Sequence, residues 1–187
     1  MTPQSPDAAG AETLRFAYGD SVLGTILVAE SKQGVIALFI GDDRARLKRD
    51  LEDAFPEAAF APDQTGLAPT IVKATALIAA PHQRPDMQLD LRGSPLERAV
   101  WNALRTIPPG ETRTYGAIAE SLQIAATAQE VGAACAANRI AVAVPCHRVV
   151  KSDGSISGYR WGVHRKRRLI HMEGASGLFA VDHAGDR

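Results

Sequence analysis

The sequence predicts an α/β N-terminal half followed by a mostly helical C-terminal half, on three observations. Short β-branched and apolar runs open the chain at about 13–18, 22–30 (VLGTILVAE) and 34–40 (GVIALFI), broken by Gly19-Asp20 and Gln33-Gly34. Ser94-Pro95-Leu96-Glu97 then spells a capping box with proline at the first helical position. Beyond it, two short helical patterns separated by a tight turn read as a helix-turn-helix.

Taken in order, residues 1–12 form a loose tail and the three runs an antiparallel meander. Asp42 caps a helix reaching about Ala54, with Leu47 and Leu51 four apart. Helical spacing returns at 68–79, and MQLDLR (87–92) alternates like a strand. A first domain therefore covers 13–92 and a second 93–174, followed by a Gly/Ala-rich tail, 175–187. In the second, Leu96, Ala99, Val100, Ala103, Leu104 and Ile107 keep helical spacing until Pro108-Pro109-Gly110. A short helix follows at about 115–123. The next, at about 128–138, opens on a second capping box, Thr127 with Glu130. Ile140–Val144 is a buried strand-like run, Ser152-Asp153-Gly154-Ser155 turns a hairpin between VVK and ISGYRW, and a basic helix spans about 162–173.

With 187 residues, 45% hydrophobic and 22% charged, the chain has apolar mass for a real core and is neither disordered, collagen-like nor a disulfide scaffold. It holds no apolar run of about eighteen residues, so no membrane partner is expected. The acidic, polar opening MTPQSPDAAGAE lacks the pattern of a signal peptide, and a cytoplasmic protein is the expectation.

Zero net charge hides an asymmetry: residues 1–90 hold 13 acidic and 8 basic side chains, residues 91–187 the reverse. Arg139, Arg148, Lys151, Arg160, Arg165, Lys166, Arg167 and Arg168 face one acid, Asp153, between 139 and 170. That run suits a polyanion, or is a solvated helix face. The third helical pattern carries Gly132, Ala133, Ala136 and Ala137 on one face. Small residues there serve either tight packing in the core or close approach to a partner.

Two cysteines, Cys135 and Cys146, occur without CxxC or zinc spacing, so free thiols and no metal are expected. Pro145-Cys146-His147-Arg148 follows the apolar run. Nearby cations lower a thiol's pKa, histidine can take its proton, and a carboxylate such as Glu173 can orient the histidine. A buried, inert cysteine is the alternative.

VPCHRVV, with Asn138 eight residues before the cysteine and Ser157-Gly158-Tyr159-Arg160-Trp161-Gly162 after it, resembles the O6-alkylguanine-DNA alkyltransferases. The likeness is strongest to the catalytic C-terminal half of the adaptive-response members. It extends through AVWNALRTIP and GETRTYGAIA and covers most of 13–174. The resemblance implies an RNase-H-like α/β N-terminal domain and a helical C-terminal domain with a winged helix-turn-helix-like motif.

It also implies direct-reversal DNA repair without a cofactor. Cys146 would take the alkyl group from O6-alkylguanine in double-stranded DNA, irreversibly, so that the protein is consumed. In this likeness His147 activates Cys146 through a water, Glu173 orients His147, Tyr115 assists the leaving base and Asn138 braces the active-site turn. Pro145, Val149, Tyr159 and Arg160 shape the substrate pocket. Thr127, Ala128, Gln129, Gly132, Ala133, Ala136 and Arg148 contact DNA, with the target base flipped out of the duplex. A monomer, with cooperative DNA binding open, is implied.

The chain departs from the family at one position. Fourteen residues after Tyr115 the family usually carries an arginine that fills the gap left by the flipped base; here stands Gln129, followed by Glu130. Gln129 is a working substitute, a weakened one, or the mark of a shifted substrate. Two rivals complete the reading: a lesion sensor or helix-turn-helix regulator without efficient transfer, and a cysteine hydrolase using Cys146 and His147.

Overall fold

The apolar runs do form strands, and the computed structural model describes residues 10–174. Strands β1 (Thr13–Ser21), β2 (Gly24–Ser31) and β3 (Gly34–Gly41) make an antiparallel meander. A fourth strand, β4 (Ala59–Pro62), pairs parallel with β1 and gives the order β3-β2-β1-β4. The sequence did not signal it, because Ala-Phe-Ala-Pro is too short and too weakly patterned to stand out. Helices α1 (Arg44–Ala54) and α2 (Ala68–Ala79) pack on this sheet through Leu47, Leu51, Ala74, Leu77 and Ile78.

The C-terminal half holds α3 (Pro95–Leu104), α4 (Tyr115–Ser121), α5 (Ala128–Ala136) and α6 (Val163–Met172). A small parallel pair joins β5 (Arg113–Thr114) to β6 (Val149–Val150). Both expected capping boxes are formed, Ser94 with Glu97 and Thr127 with Glu130. Trp101 on α3 donates its indole N–H to the Ala134 carbonyl of α5 at 2.8 Å, tying the two helices. The core runs without a break from the sheet through Val100, Leu104, Val131, Ile140–Val144 and Leu169.

Several expectations need correction. Asp43, not Asp42, caps α1, accepting from Ala45 N at 2.8 Å. Asp42 instead receives Arg165 at 2.6 Å. Residue 12 is no loose tail: Glu12 pairs with Arg92 and its carbonyl accepts from Ala59 N at 2.9 Å. Residues 1–9 and 175–187 lie outside those described. Residues 87–92 form no strand, although Leu89 bridges Val35. Gly34 permits that approach, since at φ +139° a Cβ would stand 2.5 Å from the Gln88 carbonyl oxygen.

Residues 140–144 are buried but also not a strand: they form a turn, held to β3 by one parallel bridge, Leu38 to Ile140. Leu38 N donates to Arg139 O and Ala141 N to Leu38 O, each at 2.9 Å. Val142 sits in the left-handed region at φ 65°, a costly place for a β-branched residue. The turn at 152–155 closes with Lys151 N on Ser155 O at 3.0 Å, but Val149 and Val150 pair with β5 rather than with ISGYRW.

Candidate active site

Asn138, Cys146, His147 and Glu173 meet around the turn that ends at Pro145, while Tyr115 is hydrogen-bonded to Ser157. Asn138, just past α5, is buried and satisfies three groups. Its Nδ2 donates to Val144 O at 2.9 Å and to Cys146 Sγ at 3.2 Å, while its Oδ1 accepts from Ile140 N at 2.9 Å. One side chain thus braces the turn and touches the sulfur.

Cys146 opens a short 3₁₀ turn, Cys146–Arg148, and is buried. Burial pushes its thiol above the ordinary range; the Asn138 hydrogen bond and the charges of Lys166 and Arg160 oppose this without reversing it. The nearby cations do pull this pKa down, as the sequence suggests, but desolvation outweighs them and the resting group is a thiol.

His147 Nε2 donates to Glu173 Oε1 at 2.8 Å, and neither side chain is exposed to solvent. Burial drives the Glu173 carboxyl upward, but hydrogen bonds from His147 and Arg148 outweigh it and leave the group below its usual range, ionised. An ionised carboxylate only accepts, so Nε2 carries the proton and Nδ1 presents a lone pair. Burial also lowers the His147 pKa against the pull of Glu173, so the ring rests neutral. His147 Nδ1 and the Tyr159 hydroxyl are buried with no hydrogen-bond partner among the described residues.

Arg148 departs from its expected place on DNA. It is buried, donating to both Glu173 oxygens, to Ile107 O at 2.7 Å and to Pro81 O at 3.2 Å. It ties the active-site turn to the ends of α2 and α3. Arg165 and Lys166 are buried too, and Arg139 stacks on Phe55. The basic surface of 139–170 is thus narrower than its composition suggested, with Lys151, Arg160, Arg167 and Arg168 exposed.

Tyr115, the first residue of α4, hydrogen-bonds through its hydroxyl to Ser157 Oγ. Lys166 Nζ donates to the same oxygen at 3.4 Å. Sequence reasoning named neither Ser157 nor Lys166 as a site residue; they meet only because a loop and α6 fold over α4. Val149 and Pro145 are buried beside Cys146, and Tyr159 packs edge-on to Trp161 with centroids 5.2 Å apart. Arg160 lies over Phe39 and donates to Asn138 O at 3.3 Å.

On α5 the small face looks outward. Thr127, Ala128, Gln129, Ala133 and Ala136 are exposed, and a Cβ on half-exposed Gly132 would meet only the Tyr115 ring, at 3.9 Å. Tight core packing therefore does not explain Gly132, Ala133 or Ala136, although Ala137 does pack against the core; Val131, Ala134 and Cys135 fill the buried side. Glu130 turns back to cap the helix, its carboxylate accepting from Thr127 N at 2.7 Å.

Residues 95–175 match the family model described as 6-O-methylguanine DNA methyltransferase, DNA binding domain. A Mycobacterium tuberculosis methylated-DNA–protein-cysteine methyltransferase is 41% identical over 114 residues, which span 61% of this chain and 69% of the relative. The chain belongs to the O6-methylguanine-DNA methyltransferase family. Within that family it is 42% identical over 166 residues to the bifunctional transcriptional activator/DNA repair enzyme Ada of Escherichia coli; the match covers 88% of this chain. The chain spans about half of Ada, 47% of its length. Among solved structures, M. tuberculosis OGT in complex with DNA superposes with a TM-score of 0.69 at 34% identity, covering 87% of this chain and 93% of that one. The mixed α/β architecture is thus that of the methyltransferase family.

Proposed function

We propose that the chain is a single-use alkyltransferase that removes the alkyl group of O6-alkylguanine from double-stranded DNA. The observation that carries this is the buried Cys146 sulfur under Asn138, beside a His147 whose Nε2 is engaged by Glu173 and whose Nδ1 is free to act as a base. Through a bound water, Nδ1 takes the Sγ proton. The sulfur then attacks the alkyl carbon as the carbon–O6 bond breaks, and the bonding pair stays with guanine. The proton lost at sulfur is matched by one that Tyr115 gives to the base as charge develops. No cofactor enters, and the S-alkyl product is final.

A stacked O6 is out of reach of a buried sulfur, so the base is flipped out of the duplex. We read α4 and α5 as the helix-turn-helix of a winged domain, residues 93–174, with α5 lying in the minor groove. The RNase-H-like reading of the sheet, domain 13–92, belongs to the same proposal, as do a monomeric protein and a cytoplasmic location. Gln129 and Thr127 stand exposed where α5 begins, next to the space that the base would vacate. Since the Glu130 carboxylate is occupied by its cap, its cost to DNA binding is reduced.

Intact-protein and peptide mass after incubation with O6-methylguanine in duplex DNA, beside free O6-benzylguanine, tests the proposal. One alkyl group on Cys146 from the duplex is the expected result. Labelling from the free base alone would place a defect in DNA engagement, at Gln129. No label from either leaves the lesion-sensor alternative, and repeated turnover of acyl substrates would indicate the hydrolase.

A further inference from the structure

Lys166 is 1% exposed, and its hydrogen-bond partner among the described residues is the Ser157 hydroxyl, at 3.4 Å. A buried ammonium held by one neutral group is expensive and calls for a reason. The groups that respond to its charge are the thiols of Cys146 and Cys135 and the ring of His147, all part of or next to the reacting centre. Ser157, in turn, is bonded to the Tyr115 hydroxyl. Three elements, α4, the 151–162 loop and α6, thus contribute one polar chain that the Cys146–His147–Glu173 chemistry does not use.

An ammonium only donates, so Ser157 Oγ accepts from Lys166. The serine has one proton of its own, and the Tyr115 oxygen is its hydrogen-bonded neighbour. Either oxygen of the Ser157–Tyr115 pair can be the donor; in the arrangement where Ser157 donates, the phenolic O–H is left free for a base beside Cys146.

We propose that Ser157, held from its other side by Lys166, is a positioning residue for the leaving group: it fixes the Tyr115 hydroxyl as a donor toward the departing guanine. The inference rests on the alkyltransferase reading and adds a residue to it. The proton that guanine takes is Tyr115's own, and the phenolate regains one from solvent as the base departs. Ser157 sets where that proton points, and its hydrogen bond stabilises the phenolate left behind against the burial that disfavours it.

The test compares two methyl donors with different leaving groups. O6-methylguanine in duplex DNA needs a proton at the leaving base; iodomethane releases iodide and needs none. Ser157→Ala is expected to slow single-turnover transfer from the duplex about tenfold or more, while methylation of Cys146 by iodomethane and affinity for the DNA stay as in the unmodified protein. Ser157→Thr, which keeps the hydroxyl, is expected to recover most of the rate. Should Ser157→Ala fail to fold, Ser157→Gly carries the same comparison. Equal slowing with both donors would mean that Ser157 only shapes the site, and an unchanged duplex rate would mean that Tyr115 needs no positioning; either overturns the inference. If the unmodified protein takes no methyl from the duplex, the alkyltransferase reading itself falls, which is a separate result.

Discussion

His147 Nε2 and Glu173 Oε1 are 2.8 Å apart with both side chains closed off from solvent, and the same carboxylate is the anchor of Arg148. One buried charge therefore sets a tautomer and holds the fold. Glu173→Gln is expected to leave the Arg148 guanidinium uncompensated, costing about 3–5 kcal/mol of stability. It should also lower transfer about a hundredfold by releasing the histidine. Denaturant unfolding and single-turnover kinetics measure the two. Adding Arg148→Met should return much of the stability and none of the rate, which separates the roles.

Asn138→Ala removes three hydrogen bonds at one buried point, two of them to the backbone of the turn. A loss of about 2–4 kcal/mol is expected, since the turn's N–H and carbonyl are left unpaired. The Cys146 thiol should become slower toward iodoacetamide, because Asn138 is a hydrogen-bond donor to the sulfur. Unchanged thiol reactivity in a folded variant would show that the Nδ2–Sγ contact does not tune the nucleophile.

Acid should act on stability and rate in the same direction. Burial depresses the His147 pKa, so the unfolded chain binds a proton there first; stability present at neutral pH declines once the pH drops below the ordinary histidine range. Glu173, also depressed once its hydrogen bonds outweigh burial, adds a second loss below the ordinary carboxylate range. The base form of His147 persists lower than in a free imidazole, so the transfer rate should hold through pH 6.5 and fall only beneath it. A rate that halves at or above that pH would contradict a buried, neutral histidine.

Gln129→Arg is expected to speed transfer from duplex DNA severalfold and to leave reaction with free O6-benzylguanine unchanged. The residue is exposed at the start of α5, so its influence is expected to run through the DNA. Equal acceleration of both substrates would show that position 129 acts on the chemistry instead.

What the sequence made legible was local. The two capping boxes are complete within four residues each, and both form as read. The meander strands were bounded by their own turn residues and needed no distant partner to be seen. Ile140–Val144 misled because an apolar run reports burial, while the left-handed Val142 that bends it into a turn leaves no mark in composition. Arg148 looked like a surface cation because its carbonyl partners, at Pro81 and Ile107, lie 67 and 41 residues away. The thiol pKa went the other way for a related reason: the cations were visible in the sequence and the desolvation was not. Ser157 stood in the written motif and Lys166 in the basic run, yet the link from Tyr115 through Ser157 to Lys166 depends on three elements closing together.

The seam between Leu38 and Ile140 has an effect outside the reaction. β3 is an outer strand of its sheet, and Val35 through Ile40 are all buried. A strand so apolar, left bare, is a template for adding further copies of itself. Leu89 and the Asn138–Val144 turn lie along that edge, so the segment leading into Cys146 also covers the sheet against self-assembly. Expressed alone, residues 10–92 should therefore aggregate, and light scattering of that fragment should show it.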